Sequence, residues 1–435
     1  MRKRIIFVLL IIYTVILLSC KLNVNKNDVE YDDYNLDIVW KKDLSLENNL
    51  YEKEQYGQYL YCFEKDNNEN ECISKTDLIT SETVWKSNTT LLGIPCSPPL
   101  KADNCVYALT ELNSTYIIKL YIFSDITGEL LASIKLSSDD ESYSKYRGNG
   151  KLFYEEGKLY WIRKKLCCFD LSSVNLSITP FEDQVIEPDI LWFDEDYNLK
   201  VLLFPIVDNH IIYFQTYDYN GYNNELPTKS KLIAYNLKDE KVLWCHKCTK
   251  LYGYGMDNMI IVDDRLYVIE QGIGCFDLQT GKCYHESTQT HEDLLHNDAI
   301  LGGAFSDGIA YHNGKFFYTN TASWSSSTVT GIPQKYIHNI ICLDAKTLKI
   351  VWGQLPKGSG SQSACPTVMN GKVFVPLWLG GLCVLDEKNG KILGINKDIV
   401  NYGDGKSFYY NDLAYFLDYS HCNEDDLVTL VAIKP

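Results

Sequence analysis

The stretch Asn370–Leu393, "NGKVFVPLWLGGLCVLDEKNGKIL", holds two alternating apolar segments, each opened or closed by an Asn-Gly-Lys turn. Alternation with period two, β-branched and aromatic residues, and Asn-Gly turns mark strands joined in hairpins. Searching outward for the same phrase finds it along the whole chain: "GQYLYC", "DNCVYA", "GKLYWI", "DNHIIYF", "DDRLYVI", "NGKFFYT" and "NDLAYFL". One aromatic column runs through them, at Tyr61, Tyr107, Tyr160, Tyr213, Tyr267, Phe317, Phe374 and Tyr415, spaced about 51 residues apart. A period of that length is the signature of propeller blades.

Two further columns follow each aromatic. One ends in an acid or amide: Cys168-Phe169-Asp170, Ala234-Tyr235-Asn236, Cys275-Phe276-Asp277, Cys342-Leu343-Asp344 and Val384-Leu385-Asp386. The other is an apolar residue plus Trp, eight residues on: Val84-Trp85, Leu243-Trp244 and Val351-Trp352. Each unit therefore supplies about four strands, one blade. The last unit reaches its second column at Ala432-Ile433-Lys434 and ends before its Trp, whereas "DIVWKKDL", residues 37–44, carries the third-column pattern with Trp40. The expected fold is an all-β, eight-bladed propeller of four-stranded antiparallel blades over 37–435, closed by this N-terminal strand and monomeric.

The phrase from Asn370 to Leu393 resembles the PQQ-like β-propeller repeat: a glycine turn, a Val-Tyr strand, Ala-Leu-Asp, Thr-Gly-Lys and Trp. The resemblance is strongest around Tyr213, Tyr267, Phe317 and Phe374. That family holds quinoprotein dehydrogenases and also non-enzymatic lipoproteins, among them an eight-bladed propeller of the outer-membrane barrel-assembly machinery. A shared fold does not choose between them.

The first residues bear on the choice. Arg2, Lys3 and Arg4 precede an apolar run, Ile5–Leu18, too short to span a bilayer, and Leu17-Leu18-Ser19-Cys20 resembles the lipobox of bacterial lipoproteins. The expectation is a signal peptide over 1–19, lipid on Cys20 and a flexible tether over 20–36 rich in Asn, Asp and Glu. The protein is then exported and anchored to a bacterial cell membrane, on the periplasmic face of the outer membrane or at the cell surface. A formal net charge of −16 repels phosphate backbones and argues against a nucleic-acid partner.

Fifteen cysteines in an exported chain suggest disulfides. Their positions suggest core residues instead, since Cys168, Cys275 and Cys342 take the column where the family has Ala and free Cys behaves as a small apolar side chain. The vicinal pair Cys167-Cys168 sits inside a strand pattern, and "WCHKC", Trp244–Cys248, lacks the helix that a thioredoxin-type motif needs. Cys245, His246 and Cys248 have no identifiable fourth partner, and the other histidines show no ligand spacing, so no metal site is expected. The column aspartates recur once per blade and read as turn caps rather than catalytic acids. No catalytic residue and no cofactor is assigned. A quinoprotein enzyme would need an aromatic floor, a calcium site and an Asp base, which the sequence does not place.

Long connectors fall at 137–149, 181–200, 217–230, 285–308 and 321–336. Because the chain reverses at each turn, second-to-third and blade-to-blade connectors share one face. That face carries Tyr143, Tyr146, Trp192, Tyr197, Tyr219, Tyr222 and Trp324, the aromatic anchors that protein interfaces use. The expected function is a non-enzymatic, lipid-anchored scaffold for envelope protein partners, with a β-barrel assembly component as the partner class the resemblance implies. The alternatives are a PQQ-dependent dehydrogenase and a surface lipoprotein that binds host or carbohydrate ligands.

Overall fold

The computed structural model describes residues 31–434 except 46–52, 67–69, 113–117, 137–150, 163–164, 175, 177–183, 187–188, 193–199, 202–204, 218–229, 249–258, 270–271, 289–307, 320–339, 355, 357–364, 378–380, 400–406 and 419–427. Eight antiparallel sheets follow one another along the chain, each with the order first–second–third–fourth strand. The eighth is completed from the other end. Asp37–Leu44 pairs antiparallel with Val428–Lys434, as the sequence columns require. There is no α-helix among the described residues, and no helix there is long and apolar enough to cross a membrane.

The period-two pattern becomes the packing. Every residue of the aromatic column lies on the second strand of its blade and is buried, at most 5% exposed. Those side chains face the next blade, and their neighbours one residue to either side face the previous one. Eight apolar clusters result, each built from two adjacent blades. Tyr61 packs with blade 2, Phe374 with blade 8, and Tyr415 with Leu60, Cys62 and Leu78 of blade 1, which shuts the ring.

First-to-second turns are two residues long, and in five of the eight both φ are positive, for example Glu156-Gly157, Asn313-Gly314 and Asn370-Gly371. That geometry matches the twist of paired strands. After the third strand of blades 1, 4, 5, 6 and 7 the column acid or amide caps its own turn. Oδ1 of Asp77, Asp277, Asp344 and Asp386, and that of Asn236, accepts the backbone N–H groups two and three residues on. The acids are structural, as their repetition implies.

Two placements differ from the sequence reading. The segment 181–200, taken as a blade connector, contains Asp189–Trp192, the fourth strand of blade 3, and Gln184–Ile186, which pairs in parallel with the outer strand of blade 2. Trp192 is thus a strand residue paired with Leu166. The eight-residue spacing fails there because a 3-10 turn, Leu171–Ser173, follows Asp170. Second, Tyr31–Leu36, grouped by composition with the tether, runs along the edge of blade 7. Tyr34 N–H donates to Ile395 O at 3.2 Å, and Ile395 N–H donates to Asp32 O at 3.1 Å.

Candidate functional site

The blade seams are where the repeat does its chemistry. In three of them the Trp of one blade donates its indole N–H to a turn carbonyl of the next. Trp85 reaches Asp125 O at 2.8 Å, Trp244 reaches Leu278 O at 2.9 Å, and Trp352 reaches Glu387 O at 3.0 Å. Under each indole lies the glycine three residues after that carbonyl: Gly128, Gly281 and Gly390, all at positive φ. A Cβ on any of them would sit 2.4–2.6 Å from an indole carbon. The turn needs positive φ in other seams too, yet Glu240 and Leu348 serve there, where the Trp position holds no indole. Under these three indoles glycine is demanded by the Trp, since the turn alone accepts other residues.

Seam 8/1 inverts the scheme. Trp40 stacks on Tyr415 with centroids 5.7 Å apart, and it is the Tyr415 hydroxyl that donates to Leu78 O, at 2.9 Å. Here the positive-φ turn residue is Ser81, not glycine, and the buried Trp40 Nε1 has no partner among the described residues. Seam 1/2 adds a charge cluster. Lys75 stands where the other blades have Cys, Ala, Val or Ile, and its Nζ meets Asp125 Oδ1 at 2.7 Å while the Tyr61 hydroxyl donates to the same oxygen at 2.6 Å. Burial first, then the Asp125 carboxylate, pushes the Tyr61 hydroxyl well above its ordinary range.

Four seams lack their Trp, and two of them solve the loss differently. In blade 7 the position is Gly394, and Tyr34 from the N-terminal segment fills the space, its Cβ 3.0 Å from where a glycine Cβ would be. In blade 2 the position is Ala132, which is buried. A cavity of about 570 Å³ opens at that seam, lined by Tyr107, Ile122, Tyr154, Asp170, Leu171 and Val174. Tyr154 leans in from blade 3 and stacks on Tyr107, centroids 5.6 Å apart and planes 24° apart. The cavity lies beside the short turns, on the face opposite the long connectors.

The cysteines behave as core. Thirteen cysteines lie among the described residues, none of them in a disulfide, and nine are buried. Burial raises the Cys72, Cys342 and Cys383 thiols to about 12 and keeps them inert. Cys167 and Cys168 lie in one strand and point into opposite seams, toward blades 2 and 4. In "WCHKC" the strand alternation buries Trp244 and Cys248, half-buries His246 and exposes Cys245. The motif is a strand, not a helix start.

Of the seven aromatics read as a docking set, only Trp192 falls among the described residues. Tyr143, Tyr146, Tyr197, Tyr219, Tyr222 and Trp324 lie outside them, as do Cys20 and the whole of 1–30. The strand bounds nonetheless show the asymmetry of the connectors. Long ones join Tyr217 to Ser230, Thr319 to Ile340, Leu136 to Lys151 and Thr288 to Ile309, all on one face, while the other face has tight turns.

Fold and repeat together define a closed eight-bladed β-propeller. No family profile and no curated protein matches the chain. Solved structures do. The chain is similar to BamB from Moraxella catarrhalis, with a TM-score of 0.56 and 12% identity over 92% of this chain and 98% of that one. It is also similar to a europium-containing methanol dehydrogenase, with a TM-score of 0.63 and 12% identity over 93% and 96%. A third is the quinohemoprotein alcohol dehydrogenase from Comamonas testosteroni, with a TM-score of 0.57 and 11% identity over 94% and 77%. The likeness is one of fold alone.

Proposed function

We propose that the chain is a non-enzymatic scaffold that binds protein partners at a bacterial envelope membrane, held there by lipid on Cys20, in the setting of outer-membrane protein assembly. The observation that carries this reading is the one-sided elaboration of the ring, with every long connector named above on one face and tight turns on the other. Loops set on a rigid scaffold are where binding residues concentrate. The column acids, which taken singly resemble catalytic residues, are spent on capping turns. The fold likeness to BamB over nearly the whole of both chains supports the same reading.

The test is crosslinking in native membranes, followed by capture of the full chain through a tag at Pro435. A membrane β-barrel or its assembly partners should co-purify. Trp324→Ala with Tyr222→Ala should abolish that capture without changing the melting point. Undiminished capture by the double variant would overturn the assignment of the docking face.

A further inference from the structure

Blade packing brings together three side chains that are far apart in sequence. His246 is on the fourth strand of blade 4, Lys241–Cys248, and Cys283 and Glu286 are on the fourth strand of blade 5, Cys283–Thr288. His246 follows Trp244 by two residues, so it shares the face that looks toward blade 5. Cys283 and Glu286 are three apart and would ordinarily point to opposite faces. A β-bulge between the pairs Cys275↔His285 and Phe276↔Cys283 inserts one extra residue and turns both toward blade 4. One ligand atom from each residue lies within 4.8 Å of the other two. His246 Nε2 and Glu286 Oε2 are 3.2 Å apart. That is close to the edge of a tetrahedron drawn with bonds of roughly 2.0 Å, the length of zinc bonds to nitrogen and oxygen. The Phe276 ring packs against the imidazole, centroids 4.9 Å apart and planes 60° apart.

We propose that His246, Cys283 and Glu286 form a zinc-class metal site that fastens blade 4 to blade 5. The donor set is imidazole, thiolate and carboxylate, all ordinary zinc ligands, and three of them leave a fourth position for water. The His246 side chain is 25% exposed and that of Glu286 10%, so the ion has an entry path from the rim. The ligand pattern crosses blades, with His246 pairing not with Cys245 or Cys248 of its own motif but with residues about 40 positions on. Cys245 points the other way.

The probe is Co(II) alone, titrated into the full reduced chain in detergent. The expected result is saturation at one equivalent, with a thiolate-to-cobalt band in the near ultraviolet and intense visible bands of a tetrahedral ion. Both disappear in Cys283→Ser and in His246→Ala and persist in Cys245→Ser. Zinc alone should raise the urea midpoint of the parent. Glu286→Gln, which keeps the shape and the hydrogen bond to His246, should unfold like the parent without metal and lose the zinc-induced rise. A titration without saturation, or bands that survive Cys283→Ser, would overturn the site.

Discussion

Gly281→Ala tests the claim that the seam glycines are required by the indole above them. Gly281 has φ +66°, and a Cβ there would lie 2.4 Å from Cδ2 of Trp244. Gly314 has φ +73°, with nothing within 4 Å of its Cβ position. Alanine at either site meets the left-handed backbone cost of roughly 1 kcal/mol. At Gly281 the indole must also move by about an ångström, which breaks the bond from Trp244 Nε1 to Leu278 O. Losing a buried bond of that kind costs about 1–3 kcal/mol, so the total is about 3 kcal/mol against about 1 kcal/mol at Gly314. With a urea m-value of about 3 kcal/mol/M, the midpoint falls by roughly 1 M for Gly281→Ala and roughly 0.3 M for Gly314→Ala. In a Trp244→Leu background the excess at Gly281 should vanish, since the two sites are coupled through one contact. Equal midpoints for the two alanine variants, or an unchanged excess without the indole, would refute the argument.

Deleting residues 37–44 removes the strand that pairs with Val428–Lys434 and strips Leu44 and Trp40 from seam 8/1, so the melting point should fall steeply. An unchanged thermal transition would show that the ring does not depend on it. The cap acids predict an acid limb. The Thr280 hydroxyl and then its N–H hold Asp277 below the usual carboxylate range, and the Thr347 N–H and then its hydroxyl do the same for Asp344. A lowered folded pKa means that the stabilisation is present above the unfolded value near pH 4 and lost as pH falls below it. Asp277→Asn with Asp344→Asn, mimicking the native Asn236 cap, should flatten the urea midpoint between about pH 5 and pH 2. An acid limb as steep as the parent's would place the titrating groups elsewhere.

Much of the architecture was legible because a repeat states each rule eight times. The aromatic column, the acid column and the Trp spacing each followed from period-two strands and tight turns. The closure by Trp40 followed from which pattern was missing at the other end. What was not legible depends on contacts between units. Nothing in "TGK" says that its glycine lies under a Trp from the preceding blade. The losses at Ala132 and Gly394 look alike in sequence, yet one leaves a cavity and the other is filled by Tyr34, because only the structure shows which segment passes by. Trp192 was misplaced because an acidic stretch beside Pro188 hides a strand. The histidine, cysteine and glutamate at the seam of blades 4 and 5 have no local spacing to detect.

The passage of Tyr31–Leu36 along the edge of blade 7 has a mechanical consequence. Tyr31–Leu36 meets the ring at its circumference rather than over its axis. A pull on Tyr31 is met first by the bonds to Ile395 and the Tyr34 carbonyl held by the Asn396 side chain, and only then by the clasp strand in blade 8. Tension is shared between two adjacent sheets before it can reach the seam that closes the circle. A load applied there tugs the ring sideways by its rim.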